Sequence, residues 1–266
     1  MRNEKTVAAH ALGISRTSLY YRSKKEEQDW TLKTTIETVL REHPSYGSRR
    51  IAQTLRVNRK RISRVMRKFG ILPYRRRRTK WRKPRKRKVI YPNLLLTTTP
   101  AYQDHIWAAD FTELSFHGGT IYVATVIDLY TRELIGITVS LRKGAQLTLQ
   151  ALHSALLNRR RPDIFHSDNG REYDAQVFTD TLLNLSVMIS RIHPGCPWEN
   201  GYQESFYGKF KVELGDPNQY PTLGELVAAI YRTIGVYNTT RIHSALKMPP
   251  KQFAESTRIK ETMLQS

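Results

Sequence analysis

The residues best suited to chemistry are acids in three stretches: Asp110 and Glu113 in "WAADFTELSF", Asp168 in "HSDNGREY", and Glu199, Glu204 and Glu213 in "GCPWENGYQESFYGKFKVEL". The chain has one cysteine, Cys196, which can build neither an internal disulfide nor a metal cluster alone. A nuclease or phosphoryl-transfer core that lacks Cys and His clusters must hold its metals with carboxylates. Mg2+ takes such ligands, and two such ions ~3.5–4 Å apart can clamp both sides of an in-line displacement. The chemistry within reach is therefore phosphoryl transfer, provided that the right carboxylates converge.

Convergence depends on the elements that carry the acids. "HIWAADFTELSF" reads as a strand, "HGG" as a turn, and "TIYVATVIDLY" and "TRELIGITVSL" as two more strands of an antiparallel meander. Side chains alternate along a strand, so Asp110 and Glu113 point to opposite faces. Asp110 sits in an apolar context, where an unpaired carboxylate is costly. Asp128 is better explained as a turn residue. "DIFHSDNG" is a short strand that places Asp168 before a glycine turn, at the edge where ligands gather in open α/β sheets. Glu172 and Asp174 lie beyond that turn, with Asp174 a good helix N-cap. His166 shares a face with Asp168 and is open to three readings: DNA contact, support of a metal site, or a satisfied sheet histidine.

Phase and capping separate the three glutamates. Asn200 is placed as an N-cap with Gln203 three residues on, a capping-box arrangement, so a helix is expected from Gly201. Glu199 precedes it. Glu204 falls in the first turn, where the dipole favours a carboxylate. At ~100° per residue Glu204, Gly208 and Lys211 share a face, and Glu213 points the other way. Gly208 leaves room for a DNA backbone that Lys211 can pair with. With helices over "GAQLTLQALHSALLNR", "DAQVFTDTLLNLS" and "TLGELVAAIYRTIGVYN" and a strand at "VMISRIH", the second part is expected to be α/β, a mixed five-stranded sheet with helices on its faces.

The first part differs in charge. Of a net +21, residues 1–100 hold 28 Lys+Arg against 6 Asp+Glu, whereas the rest is nearly neutral. That asymmetry marks a nucleic-acid-binding arm. Residues 1–28 are expected to form a helix-turn-helix whose second helix carries Arg16. Residues 29–72 form a second helical unit, with one helix from Thr31 and another in which Ile62, Val65, Met66 and Phe69 face inward and Arg59, Lys60, Arg61 and Arg64 face DNA. Residues 73–100 are a basic arm and linker: Tyr74 to Lys88 has 11 basic residues in 15 and cannot bury apolar surface. Arg75, Arg76, Arg77, Arg78, Lys80, Arg82 and Lys83 are placed along phosphates. The catalytic part spans 101–256, followed by a tail at 257–266. No apolar run approaches the ~20 residues of a membrane span, and the N-terminus lacks the apolar core of a secretion signal, so a cytoplasmic, nucleoid-associated protein is expected.

Asp110, Asp168, Glu204 with 35 residues between the last two, and Lys211 seven later resemble the catalytic signature of transposases and retroviral integrases. "HPSYGSRRI", "FHSDNGREY", "NGYQESFYGKFKVEL" and "YNTTRIHSAL" are similar to the integrase-core transposases of bacterial insertion sequences encoded in two overlapping frames, of which this chain looks like the second-frame product. Asn169 is a departure, since that group often has arginine there. The resemblance implies an RNase H-like core, two Mg2+ (or Mn2+) ions on Asp110, Asp168 and Glu204, and no covalent enzyme–DNA intermediate. It implies cleavage of element ends and transfer into target DNA, a homo-oligomer on DNA, and an upstream-frame product as partner or fusion. The rival functions are a decayed transposase that only binds DNA as a repressor, and an RNase H-type nuclease. Tyr237, Asn238, Arg241 and His243 match the group's last motif and either organise the end of the core or touch DNA.

Overall fold

The computed structural model describes residues 25–74 and 91–265, scattered positions between Val7 and Ser15, and only the backbone of Pro197 and residues 260–265. The expected helix-turn-helix with Arg16, and the arm residues Arg75 to Lys83, lie outside the described residues. Contacts divide the chain into two units, residues 1–42 with 46–72, and residues 43–45 with 73–266. None of the described helices is long and apolar enough to cross a membrane.

The first unit packs α1 (Lys25–Glu42), α2 (Ser48–Leu55) and α3 (Arg59–Lys68) around Leu32, Ile36, Val39, Ile51, Ile62, Val65 and Met66. Helix α1 starts well before Thr31 and runs through the boundary expected at 28/29. Glu26 and Glu27 occupy its first turn, where acids favour helix initiation. Asn58 caps α3 by accepting from the Lys60 N–H at 2.8 Å. Gly70, at φ +64°, ends it in the left-handed conformation. Arg59, Lys60 and Arg61 are exposed. Arg64 departs from its expected role. It donates to both oxygens of the buried Asp29, at 2.7 and 2.5 Å, with Lys68 Nζ at 3.3 Å. Arg64 in turn holds the Asp29 carboxyl down at about 2.

The second unit is built on one mixed sheet. Strands β1 (Ile106–Phe116), β2 (Gly119–Asp128) and β3 (Leu134–Ser140) form the meander. Strands β4 (Ile164–Ser167) and β5 (Met188–Arg191) add to β1 in parallel, giving the order β3-β2-β1-β4-β5. His117 and Gly118, at φ +44° and +80°, close the two-residue hairpin, whose twist requires positive φ. Helices α4 (Ala145–Leu156) and α5 (Gln176–Asn184) cover one face over Trp107, Ala109, Val126 and Phe165. Helices α6 (Gly201–Leu214) and α7 (Leu223–Thr239) cover the other over Ile106, Ala108, Val123 and Ile164. Helix α8 (Pro250–Gln265) ends the chain and carries straight through the boundary expected at 256/257. This is the expected α/β arrangement, and it explains why β4 is buried at all four positions: both its faces are covered.

Two contacts tie the helices to the sheet. A Cβ on Gly136 would lie 2.4 Å from the Ala151 carbonyl oxygen and 3.0 Å from Ala155 Cβ. Gly136→Ala is therefore expected to cost about 1–3 kcal/mol through overpacking. A urea midpoint equal to wild type would show instead that α4 moves away freely. At the other end, Asn238 acts as a strand neighbour: its Oδ1 accepts from Leu134 N and its Nδ2 donates to Leu134 O, both at 2.9 Å. Tyr237 donates to the Arg132 carbonyl at 3.1 Å, Arg241 pairs with Glu213, and the His243 N–H donates to the Met248 carbonyl. These residues of "YNTTRIHSAL" organise the end of the core.

Candidate active site

The sheet register brings the first two acids together. Strands β1 and β4 pair in parallel, with Ala108 opposite His166. Two residues further on come Asp110, on the β1 face covered by α6, and Asp168, the residue just past the end of β4. Neighbouring strands lie ~4.8 Å apart, so these carboxylates leave the sheet side by side where β4 ends. Asp110 Oδ1 accepts from the Phe111 N–H at 2.8 Å, and Asp168 Oδ1 from the Gly170 N–H at 2.9 Å.

Helix α6 brings the third, by a device that differs from the expected capping box. A 3-10 turn, Pro197–Asn200, runs directly into α6, and Asn200 makes no side-chain cap bond. Gln203 is fully buried and reaches the sheet instead, its Nε2 donating to the Ala108 carbonyl at 2.6 Å. One turn later the Tyr207 hydroxyl donates to the Asp110 carbonyl at 2.7 Å. The Thr125 hydroxyl sits 3.2 Å from Gln203 Oε1 and 2.8 Å from the Tyr207 hydroxyl. The helix start is already continuous with the preceding turn, so a local cap has nothing to add, and the amide serves better as a buried bridge to β1. Gln203, Tyr207, Phe210 and Leu214 form the buried stripe. Glu204, one position round the helix, is left exposed beside Asp110. Lys211 lies two turns further, its Nζ donating to the Glu113 carbonyl at 3.0 Å.

The carboxylates feel one another. Burial, then Asp168 and, more weakly, Glu204 push the Asp110 carboxyl up to about 8, with the Phe111 N–H and Lys211 opposing. Burial also raises Asp168, against the pull of the Gly170 N–H and Arg191. A carboxyl raised in the folded state holds its proton there while the unfolded chain releases it. The metal-free protein should thus lose stability as pH rises from about 4 to about 8. Asp110→Asn is expected to flatten that decline and to raise the melting temperature at pH 8 in EDTA by ~3–6 °C. A decline of the same size in the variant would place its origin elsewhere.

The donor set suits a hard divalent cation: three carboxylates, two of them raised chiefly by burial. Among the described residues no three His, Cys, Asp or Glu side chains already enclose a point where an ion would sit. Glu204 is the exposed member of the three.

Other acids have different work. Glu199 accepts from the His193 N–H and the Asn93 amide, both at 2.7 Å. Glu213 is buried against Arg241, and Asp128 accepts from the Thr131 hydroxyl as the turn residue expected. Asp174 does not cap α5, whose N-cap is Ala175; it lies 3.8 Å from Arg191 instead. His166 is fully buried, its Nδ1 2.9 Å from the Ser190 hydroxyl, and burial pushes it down to about 4. It is a sheet histidine, neutral at physiological pH. Arg191 escaped the sequence reading. It stands on β5 in phase with the buried Ile189, an inward position that a cation takes only with partners.

A mixed five-stranded sheet in this order with helices on both faces is the arrangement of an integrase core of the RNase H-like class. Residues 101–197 and 185–250 each match a family described as integrase core domain. The chain is 29% identical over 245 residues to the transposase for insertion sequence element IS904 of Lactococcus lactis, covering 87% of this chain and 96% of that one. It is 28% identical over 258 residues to the 31.7 kDa protein of insertion element IS407 of Burkholderia multivorans, covering 94% and 90%. Among solved structures it is similar to the simian T-cell lymphotropic virus intasome in complex with PP2A regulatory subunit B56 gamma, with TM-score 0.51 and 18% identity over 77% of this chain and 70% of that one, a likeness of fold. The chain belongs to the bacterial insertion-sequence transposases with an integrase-like core.

Proposed function

We propose that the protein is a DNA transposase in which Asp110, Asp168 and Glu204 hold two divalent cations, Mg2+ or Mn2+, and carry out cleavage of element ends and strand transfer into target DNA. The observation that carries this reading is the β1–β4 register, which sets Asp110 beside Asp168 under a helix that presents Glu204. When bound, such ions lower the pKa of the attacking hydroxyl and neutralise the charge that develops on the leaving oxygen. Asp110 and Asp168 would hold the ions from the sheet and Glu204 would hold them from α6. Lys211 pairs with a DNA phosphate along the same helix face.

In cleavage a water oxygen bonds to phosphorus as the P–O3′ bond breaks, freeing a 3′-hydroxyl. In joining, that hydroxyl attacks a target phosphorus and displaces a target 3′-oxygen. One phosphodiester replaces another, so no energy-rich co-substrate and no covalent enzyme–DNA bond are needed. The exposed Arg59, Lys60 and Arg61, together with the basic arm, add affinity for DNA. A homo-oligomer assembled on the two element ends, and an upstream-frame product fused or bound to this chain, complete the proposal.

The test is a strand-transfer assay with Mg2+ and DNA carrying the element's inverted repeats. The expected product is a 3′ end joined to target DNA. Cleavage without joining would favour an RNase H-type nuclease, and binding alone would favour a repressor.

A further inference from the structure

Arg191 touches no reacting group, yet among the described residues it is the one buried guanidinium next to the loop that carries Asp168. Its Nη1 donates to the Ser167 hydroxyl, and its Nη2 donates to the Tyr173 carbonyl at 2.7 Å. Its Nε lies 3.8 Å from Asp174, and the rings of Tyr91 and Tyr173 flank it at 5.7 and 5.8 Å. Ser167 passes the contact on, donating to the Asp168 carbonyl at 3.0 Å. The guanidinium thus bridges the residue just before Asp168 and the residue that ends the loop.

That loop is crowded with negative charge. A Cβ built on Gly170 would meet Asp168 Oδ1 at 2.9 Å and Glu172 Oε2 at 3.0 Å, so the two carboxylates lie around a single glycine. Asp174 follows. The other cations near them are at the surface: Lys143, 3.8 Å from Glu172 and 42% exposed, and Arg171 of the loop itself, which is exposed. Like charges held this close spread apart unless something ties them down. A planar fork with several fixed donors can tie two points at once, which an ammonium cannot.

We propose that Arg191 is a positioning residue that clasps the two ends of the 167–173 loop and so sets Asp168 where a divalent cation can be taken. This rests on the metal-dependent reading above. Its reach is the metal site and not the DNA, because every one of its contacts lies behind Asp168.

The experiment uses the full chain, titrated with Mn2+ and followed by electron paramagnetic resonance, for wild type, Arg191→Lys and Ser167→Ala. Melting temperatures in EDTA and DNA affinity are measured alongside. Arg191→Lys is expected to weaken Mn2+ binding by ~10-fold or more, and to raise the Mg2+ concentration for half-maximal cleavage by a similar factor. DNA affinity should stay within about twofold, because the phosphate contacts are untouched. Ser167→Ala, which keeps the charge and removes one anchor, should shift Mn2+ binding in the same direction by ~3-fold, and it decides the matter if Arg191→Lys does not fold. Variants that melt earlier yet bind Mn2+ like wild type overturn the inference and leave Arg191 a packing residue. A wild-type chain that binds no Mn2+ overturns the metal reading itself, and with it this role for Arg191.

Discussion

Glu204→Gln is expected to abolish cleavage and joining while leaving affinity for element-end DNA unchanged. The substitution keeps the size and position of the side chain on α6 and removes only its charge. Residues that merely support metal ligands are worth 10–100-fold, so loss of a ligand should exceed ~100-fold. Stability should not fall. Glu204 is exposed, and its main electrostatic effect is to oppose ionisation of Asp110. Parallel Glu199→Gln and Glu213→Gln variants locate the effect, since both residues have partners away from the sheet edge: His193 and Asn93 for the first, Arg241 for the second. An active Glu204→Gln protein beside a dead Glu199→Gln or Glu213→Gln protein would move the third ligand to another residue.

Arg241→Ala is expected to be the most damaging change outside the site. The Arg241 side chain is 1% exposed and that of Glu213 is 6% exposed, with Nε and Oε1 2.7 Å apart. Removing the cation leaves a buried carboxylate with the Ser45 hydroxyl, 2.8 Å away, as its remaining donor and no opposite charge, which costs about 3–5 kcal/mol. In a chain of this size that lowers the melting temperature by roughly 10 °C. The double change Arg241→Met with Glu213→Leu should recover most of the loss, because an apolar pair of similar volume needs no compensation. Thermal denaturation of the single and double variants checks both points. A single variant within about 1 kcal/mol of wild type would mean that water reaches Glu213.

The elements that could be read from the sequence are those with an unbroken period. The β-branched run "TIYVATVID" and the helical stripe of Leu32, Ile36 and Val39 are local facts; the strand formed where expected, and the stripe lies on a helix that starts earlier than expected, at Lys25. Glu204 could be separated from Glu199 and Glu213 because phase along a helix is also local. The departures share one cause: a polar side chain has local and distant partners that a sequence does not rank. Gln203 sits where a capping box would place it, but an amide on the buried stripe gains more from the Ala108 carbonyl. Asp174 could cap α5, but a buried guanidinium lies beside it. Arg64 reads as one more basic residue on a basic helix until Asp29, 35 positions earlier, is found next to it.

By itself the sequence determined the kinds of donor available, the phase of each acid on its own element, the order of strands and helices along the chain, and the segregation of positive charge into the first hundred residues. Each depends only on composition or on neighbours a few residues apart. The tertiary structure alone decided that Asp110 and Asp168 stand side by side, since a parallel register between segments nearly sixty residues apart is set by packing on both faces of the sheet. It also decided that Gln203 and Tyr207 pin α6 across β1, and that Arg191 lies behind the Asp168 loop. Burial gives those three side chains their importance, because a polar group taken out of water must find its partner wherever the fold has placed one.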